Sequence, residues 1–182
     1  MLLSKLNAMS VGPLWVLRRN SGSPAGNVDG NECCPVCGQS WIQSRGQDNT
    51  ALTVLATPIG DETQRILLNN CLKAAGWGDV TCISLHSTCS GGPGERLKAL
   101  HALIEAQRPE VVIVFGQMAA QKISPDLKPG QINTYLDTRF VVTLHPEEMI
   151  RTPLLKAQVW TDLCLAKFGV LNSSDDPTDE PI

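Results

Sequence analysis

Two stretches of the sequence decide the fold: RPEVVIVFGQMAAQKI (residues 108–123) and VVTLHPEEMIRTPLLKAQVWTDLCLAKF (residues 141–168). The first contains VVIVF, a continuous and mostly β-branched apolar run that is typical of a central strand buried on both faces. Gly116 follows this run and opens a short helix, so the stretch predicts a strand, a turn and a helix. The second stretch predicts the same order of a strand, a loop and an amphipathic helix.

The chain from residue 51 onward continues this alternation of apolar runs and amphipathic segments. Such alternation predicts a parallel sheet with helices on both faces. We therefore expect an α/β fold, a three-layer α/β/α arrangement around a four-stranded parallel sheet. Residues 124–138 are predicted to form a loop. The predicted strands cover residues 51–56, 80–85, 111–115 and 140–144, and the predicted helices cover 61–75, 95–107, 117–123 and 153–168.

Composition indicates one compact domain with tails. A hydrophobic content of 42% over 182 residues supplies a core of ordinary size. We predict an arm over residues 1–19, a flexible linker over 20–32, the folded domain over 33–168 and a disordered acidic tail over 169–182. Because no apolar run approaches the roughly 20 residues of a membrane span, we expect a cytoplasmic protein without a membrane partner.

Net charge gives no support for nucleic-acid binding. The chain carries −3 at pH 7, and the predicted acidic tail supplies much of this excess. The rest of the chain is close to neutral, so contact with DNA stays open and is not indicated by charge.

An ordered series of residues in the two opening stretches matches a known family. A strand leads into a Gly turn and an Ala-Ala helix. A later strand ends in His-Pro and is followed by Arg-x-Pro, a Lys and Trp-x-Asp-Leu. This series resembles the uracil-DNA glycosylase superfamily, nearest family 4, its iron–sulfur branch, and implies a uracil-DNA-glycosylase-like fold. The matching residues are Gly116, Ala119, Ala120, His145, Pro146, Ile150, Arg151, Pro153, Lys156, Trp160, Asp162 and Leu163.

The first half of the chain departs from the family at positions that hold uracil. After its first strand the family has an acidic residue among glycines, where this chain has LATPIG (residues 55–60) and keeps only Pro58. The segment whose Phe stacks on the base is missing, and Leu85 stands where an Asn reads the uracil edge. Because excision needs an extruded base held by stacking and hydrogen bonds, the resemblance implies a catalytically eroded member. Asp61 and Glu62 are either substitutes for the missing acid or residues that suit a helix start.

His145 is the candidate catalytic residue. By the resemblance, its side chain stabilises negative charge on the departing uracil. The alternative is a histidine that caps or hydrogen-bonds the end of a strand, and both interpretations stay open at this point.

Seven cysteines in a chain expected in the cytoplasm favour metal ligands or buried thiols over disulfides. CPVC (residues 34–37) is a metal-knuckle sequence, but the family's fourth cluster position, near residue 96, has no cysteine. We therefore weigh bound zinc, a remnant iron–sulfur cluster and no metal. The candidate ligands are Cys34, Cys37, Cys89 and His86, with Cys33 as an alternative. Cys71, Cys82 and Cys164 are predicted core thiols.

The segment LNAMSVGPLWVLRR (residues 6–19) resembles the N-terminal peptide of the psi subunit of the bacterial DNA polymerase III clamp loader. Psi is itself similar to a uracil-DNA glycosylase domain without catalytic residues, and its peptide docks on the clamp-loader ATPase subunits. Trp and Arg are favoured interface anchors, so we predict a partner-binding arm. The alternative is that Trp15 folds back on the domain. The predicted contact residues are Leu6, Met9, Val11, Trp15, Leu17, Arg18 and Arg19.

Two functions follow from these observations. The first is a non-enzymatic, psi-like accessory subunit in DNA replication or repair, whose arm binds a clamp-loader or other replication protein. The second is an active uracil-DNA glycosylase that removes uracil from DNA in base-excision repair, because the His-Pro segment and the cysteine knuckle remain.

Overall fold

The computed structural model describes residues 40–85 and 93–174. The arm over 1–19, the linker over 20–32 and the end of the tail, 175–182, lie outside these ranges. The strands are β1 Ile42–Ser44, β2 Asp48–Leu55, β3 Val80–Ser84, β4 Val111–Phe115, β5 Ile132–Tyr135 and β6 Thr138–Thr143. The helices are α1 Glu62–Ala74, α2 Pro93–Gln107, α3 Gln117–Ile123, α4 Pro146–Arg151, a 3-10 turn Pro153–Leu155 and α5 Lys156–Ser174.

The strands form one six-stranded mixed sheet in the order β1-β3-β2-β4-β6-β5. The four strands β3, β2, β4 and β6 are parallel to one another, and β1 and β5 are antiparallel strands at the two edges. The α/β class is therefore confirmed, but the prediction of a four-stranded, purely parallel sheet is wrong. The edge strands are short and partly exposed, so they lack the continuous apolar runs that mark the central strands.

Residues 124–138, predicted as a loop, contain β5 and its turn into β6. Leu136 and Asp137 form this turn with φ of 51° and 56°. Two positive φ values in a two-residue hairpin fit a type I′ turn, which usually carries Asn-Gly or Asp-Gly. Leu-Asp gives no such signal, and this explains why the sequence does not predict the hairpin.

Side chains of the central strands alternate between two cores, one on each face of the sheet. One face packs Ile113 against α1, α4 and α5, and the other packs Val112 against α2 and α3. Helices thus cover both faces, as the alternation of elements predicts. Within the described ranges, no helix has the length and apolar character that crossing a bilayer requires.

The last helical region differs from the prediction of one helix over 153–168. The chain forms α4 directly after β6, then the short 3-10 turn, and then α5, which continues to Ser174. Helix α5 thus includes residues 169–174, which are predicted from the sequence to belong to the tail. Pro146 at the first position of α4 supplies a fixed φ and needs no amide donor, so it favours a helix start here.

Candidate functional site

The candidate site lies where the sheet changes its winding direction. From β2 the chain returns to β3 on one side, whereas from β4 it proceeds to β6 on the other. The loops that follow β2 and β4 consequently diverge and leave a crevice at the carboxyl ends of the strands. Open α/β sheets bind their ligands at this place.

A pocket of about 260 Å³ occupies this crevice. Its lining combines apolar residues such as Ala56 and Met118 with polar and charged residues such as His145 and Glu147, here called the rim. Three segments contribute: Ala56 and Thr57 after β2, Phe115 to Met118 where β4 meets α3, and His145, Glu147, Glu148 and Arg151 at the start of α4 and along it.

His145 is the N-cap residue of α4. Its Nδ1 accepts a hydrogen bond from the Glu147 amide at 3.3 Å, and its own amide donates to Glu148 Oε1 at 3.2 Å. This reciprocal pair is a capping box, so the structural interpretation of His145 as a cap is confirmed. Catalysis by the same residue stays a prediction.

The cap fixes the tautomer of the His145 ring. Because Nδ1 accepts a hydrogen bond, the neutral ring carries its proton on Nε2 and presents a donor there. Within the described parts of the chain, Nε2 has no hydrogen-bond partner. Burial lowers the pKa of His145 below its ordinary value, although Glu147 and Glu148 act in the opposite direction. The ring is therefore neutral near pH 7.

The absence of a side chain at Gly116 avoids a close contact with His145. Gly116 has φ of 93°, a backbone conformation that favours glycine, and a Cβ at this position would lie 3.4 Å from His145 Cβ. Its amide donates to the Thr143 carbonyl at 2.7 Å, which joins the ends of β4 and β6. The glycine thus holds together the two strand ends that form the pocket.

Acidic side chains dominate the rim of the pocket. Glu147 forms an exposed ion pair with Arg151, one helical turn further along α4. Glu148 serves the capping box and has no arginine or lysine partner among the described residues. The rim therefore has a net charge of about −1 when His145 is neutral, and this repels phosphate groups.

Leu85, at the position aligned with the uracil-reading Asn, is only 2% exposed and packs in the core with Leu100. Its amide donates to the Leu55 carbonyl at 2.8 Å. The side chain offers no polar atom and does not line the pocket. The structure thus agrees with the expectation that this position cannot bind a base edge.

Asp61 and Glu62 are open to two interpretations from the sequence, as substitutes for the acid of the family or as residues of a helix start. The structure places both at the start of α1. Asp61 is the N-cap of α1 and accepts from the Thr63 amide at 2.9 Å, and Glu62 forms an exposed ion pair with Arg65. Neither residue lines the pocket. Both carboxylates thus stabilise the start of α1, and their substitution for the acid of the family stays a prediction.

Several residues that carry the resemblance are structural. Ala119 and Ala120 are fully buried where α3 packs on the sheet, and Leu163 is fully buried in the opposite core. Asp162 is 4% exposed, and its Oδ2 accepts a hydrogen bond from Thr143 Oγ1 at 2.7 Å. Burial raises the pKa of Asp162, and the hydrogen bond from Thr143 opposes this shift. The match in this region thus reflects packing of α3 and α5 on the sheet.

The predicted metal ligands and arm contacts lie outside the described ranges. Within 40–85 and 93–174 there is no group of three or more His, Cys, Asp or Glu residues suited to a metal ion. Cys71 and Cys82 are buried, as predicted for core thiols, and burial raises their pKa values to about 11 and about 12. These thiols stay protonated near pH 7 and are poor metal ligands. The predicted ligands outside the described ranges are Cys33, Cys34, Cys37, His86 and Cys89. The predicted arm contacts outside them are Leu6, Met9, Val11, Trp15, Leu17, Arg18 and Arg19.

The acidic rim and exposed Met118 are features of the site that the sequence does not predict. HPEE (residues 145–148) contains a cue for the first, since two acids after His-Pro suit the first turn of a helix. The position of Met118 in α3 beside the pocket follows only from the strand order, which the sequence does not indicate.

No family model matches the chain, and no curated protein matches it.

Proposed function

We propose that this chain is a uracil-DNA-glycosylase-like domain without glycosylase activity, which serves as a psi-like accessory subunit in replication or repair. The observation that carries the proposal is the use of polar groups in the pocket. His145 and Glu148 cap α4 through each other, and Glu147 pairs with Arg151. The rim thus uses His145 Nδ1, Glu148 and Glu147 to stabilise its own helix.

Two further features argue against excision. The pocket has no aromatic ring from the loop after β2, so an extruded base lacks a stacking platform worth roughly 1–3 kcal/mol on this side. The net negative rim also opposes the approach of a phosphate backbone. Both features support a domain that acts through protein contacts.

The arm supplies the accessory function in this proposal. Trp15, Arg18 and Arg19 are the types of residue that anchor interfaces, and they match the psi-like peptide. The partner is a clamp-loader ATPase subunit or another replication protein. The folded domain then acts as the body that the arm attaches to this assembly.

Capture of purified clamp-loader subunits by the full chain tests the proposal. We expect the wild-type chain to retain a clamp-loader subunit and the Trp15→Ala variant to bind at least tenfold more weakly, since loss of a buried Trp anchor costs about 2 kcal/mol or more. Leu154→Ala is the matched control, because Leu154 is 87% exposed and lies outside the arm. Equal retention by all three chains would contradict the proposed role of Trp15.

One observation favours the second candidate, an active uracil-DNA glycosylase. The neutral His145 ring lines the pocket and has Nε2–H available as a donor. A donor at this place can stabilise charge that develops on a departing base.

A uracil-excision assay separates the two candidates. We expect no release of uracil from single-stranded or duplex oligonucleotides by the wild-type chain. Excision that is lost in His145→Ala and retained in the control Leu154→Ala would assign catalysis to His145 and overturn the non-enzymatic proposal.

A further inference from the structure

The described chain begins near the carboxyl ends of the parallel strands, where the pocket also lies. The Ser84 amide, at the carboxyl end of β3, donates to the Trp41 carbonyl at 2.7 Å. Gln43 Oε1 accepts a hydrogen bond from the Ile59 amide at 3.2 Å, which joins β1 to the loop after β2. The residues that precede Ser40 are therefore attached beside the loop that forms one wall of the pocket.

The arm is long enough in sequence to reach this pocket. In the sheet order, β3 and β4 are separated by β2, so their ends lie about 10 Å apart. The predicted flexible linker, residues 20–32, separates the arm from the predicted domain, and a Gly-rich coil of thirteen residues spans about 20 Å. Tethering in one molecule thus gives the arm a high effective concentration at the pocket.

The pocket has apolar surface that suits an aromatic side chain from another segment. Met118 lines it and is 64% exposed, although a methionine side chain is mostly apolar. Ala56, at 7% exposure, adds a little apolar surface to the same lining, and Phe115 is fully buried behind it. A thioether makes favourable contacts with aromatic rings, so a ring placed here would cover Met118 and gain from the contact.

The arm has the matching chemistry. Trp15 is its one aromatic residue, and residues 1–19 contain Lys5, Arg18 and Arg19 but no Asp or Glu. This positive charge complements the rim, where Glu147 and Glu148 outnumber Arg151. Apolar character and charge thus point to the same occupant.

We propose that residues 1–19 dock on the pocket of their own chain, with Trp15 against Met118 and with Arg18 and Arg19 toward the acidic rim. This inference rests on the proposed partner-binding role of the arm. A docked arm is withheld from its partner, so the pocket regulates the availability of the arm. If the docked form exceeds the free form tenfold, the apparent affinity for the partner falls about tenfold.

Fluorine NMR of the full chain containing 5-fluorotryptophan tests this docking. The four tryptophans give separate resonances, and Trp15→Phe assigns the one of interest. Trp41, Trp77 and Trp160 are buried in the domain and report on its folding. The wild type is compared with Met118→Glu, which places a charge in the pocket where the ring is proposed to bind. The matched control is Leu154→Glu, at another exposed apolar residue.

We expect the Trp15 resonance of the wild type to differ from that of a synthetic peptide of residues 1–19. Met118→Glu should move it to the peptide position while the other three resonances stay in place, and Leu154→Glu should leave it unchanged. A wild-type resonance at the peptide position, or one insensitive to Met118→Glu, would overturn the inference. A displacement that disappears on tenfold dilution would also overturn it, because the contact would then be between two copies.

The experiments distinguish failure of the accessory role from failure of the docking. Capture of a clamp-loader subunit without a displaced Trp15 resonance supports the accessory role and rejects the docking. A displaced resonance without capture supports the docking and rejects the accessory role. If both hold, Met118→Glu should increase capture several-fold, since it releases the arm.

Discussion

His145 joins the end of β6 to the first turn of α4 through a ring nitrogen that must be deprotonated to accept a hydrogen bond. Burial favours the same neutral form and lowers the pKa of the ring. Protonation of Nδ1 removes the acceptor and the cap together. Acid therefore weakens the helix start at the rim of the pocket.

Replacement of His145 by Asn tests this link between cap and proton. Asn also caps helices well, so we expect the variant to match the wild type in free energy of unfolding at pH of about 7.5, whereas His145→Ala should lose about 1 kcal/mol. Because the folded pKa lies below the unfolded value of about 6.5, the unfolded chain binds more protons on acidification, and wild-type stability falls as pH drops through and below this value.

Urea unfolding of both chains at several pH values measures the difference. The stability of His145→Asn relative to wild type should rise as pH falls from about 7 to about 5, because only the wild type titrates at this position. Parallel pH profiles for the two chains would show that the cap does not depend on the neutral ring. The other histidines are common to both chains and cancel in the comparison.

The sequence indicates some individual roles better than others. The loss of a polar group at Leu85 is visible in the sequence, because an apolar side chain cannot bind a base edge wherever it lies. The two interpretations of His145 cannot be separated in this way, since they differ in whether Nδ1 meets an amide. That contact depends on the start of α4, which the periodicity of residues 146–151 is too short to indicate.

Helix α5 is held against β6 by a buried polar contact as well as by apolar packing. Thr143 donates to Asp162 near the beginning of the helix, and Arg139 donates to the Gly169 carbonyl further along. Because residue numbers rise along the helix as they fall along the strand, α5 runs antiparallel to β6. The buried carboxyl is the costly part of this arrangement, since burial disfavours its charged form.

Two substitutions at Asp162 separate its hydrogen bond from its charge. Asp162→Ala leaves the Thr143 hydroxyl without its acceptor and should lower the free energy of unfolding by about 1–3 kcal/mol. Asp162→Asn retains an acceptor oxygen without the charge. Because the folded pKa of Asp162 is raised above the ordinary value of about 3.9, wild-type stability falls as pH rises through this range, and the Asn variant does not share the loss.

Chemical denaturation between pH of about 4 and about 7 tests this expectation. The stability of Asp162→Asn relative to wild type should increase toward pH 7. A constant difference across the range would mean that the carboxyl titrates alike in the folded and unfolded chains.

Central elements are more predictable than those at the edges for a physical reason. A strand such as β4 is covered on both faces, so its sequence must be apolar throughout, and its bounds match the prediction. The edge strand β5 has one buried residue among four and gives no such pattern. Its existence depends on the neighbouring strand β6, which supplies the hydrogen bonds.

The whole fold brings together groups that are distant in sequence. The order of the parallel strands places the loops after β2, β4 and β6 around one pocket, although more than eighty residues separate Ala56 from His145. The sequence predicts the alternation of strands and helices but not the order in which the strands pair. It therefore predicts the sheet and its covering helices, and it misses the acidic, methionine-bearing character of the pocket.

Strand β1 and helix α5 both run against the direction of the parallel strands, and this has a practical consequence. The chain enters the described domain beside the pocket, while α5 leads away from the pocket toward the amino ends of the parallel strands. A tag joined on the amino-terminal side thus leads to the domain beside the pocket, whereas one joined on the carboxyl-terminal side leads to it through the opposite end of α5. We therefore expect immobilisation through a C-terminal fusion to leave the pocket more accessible in surface-based binding measurements than immobilisation through an N-terminal fusion.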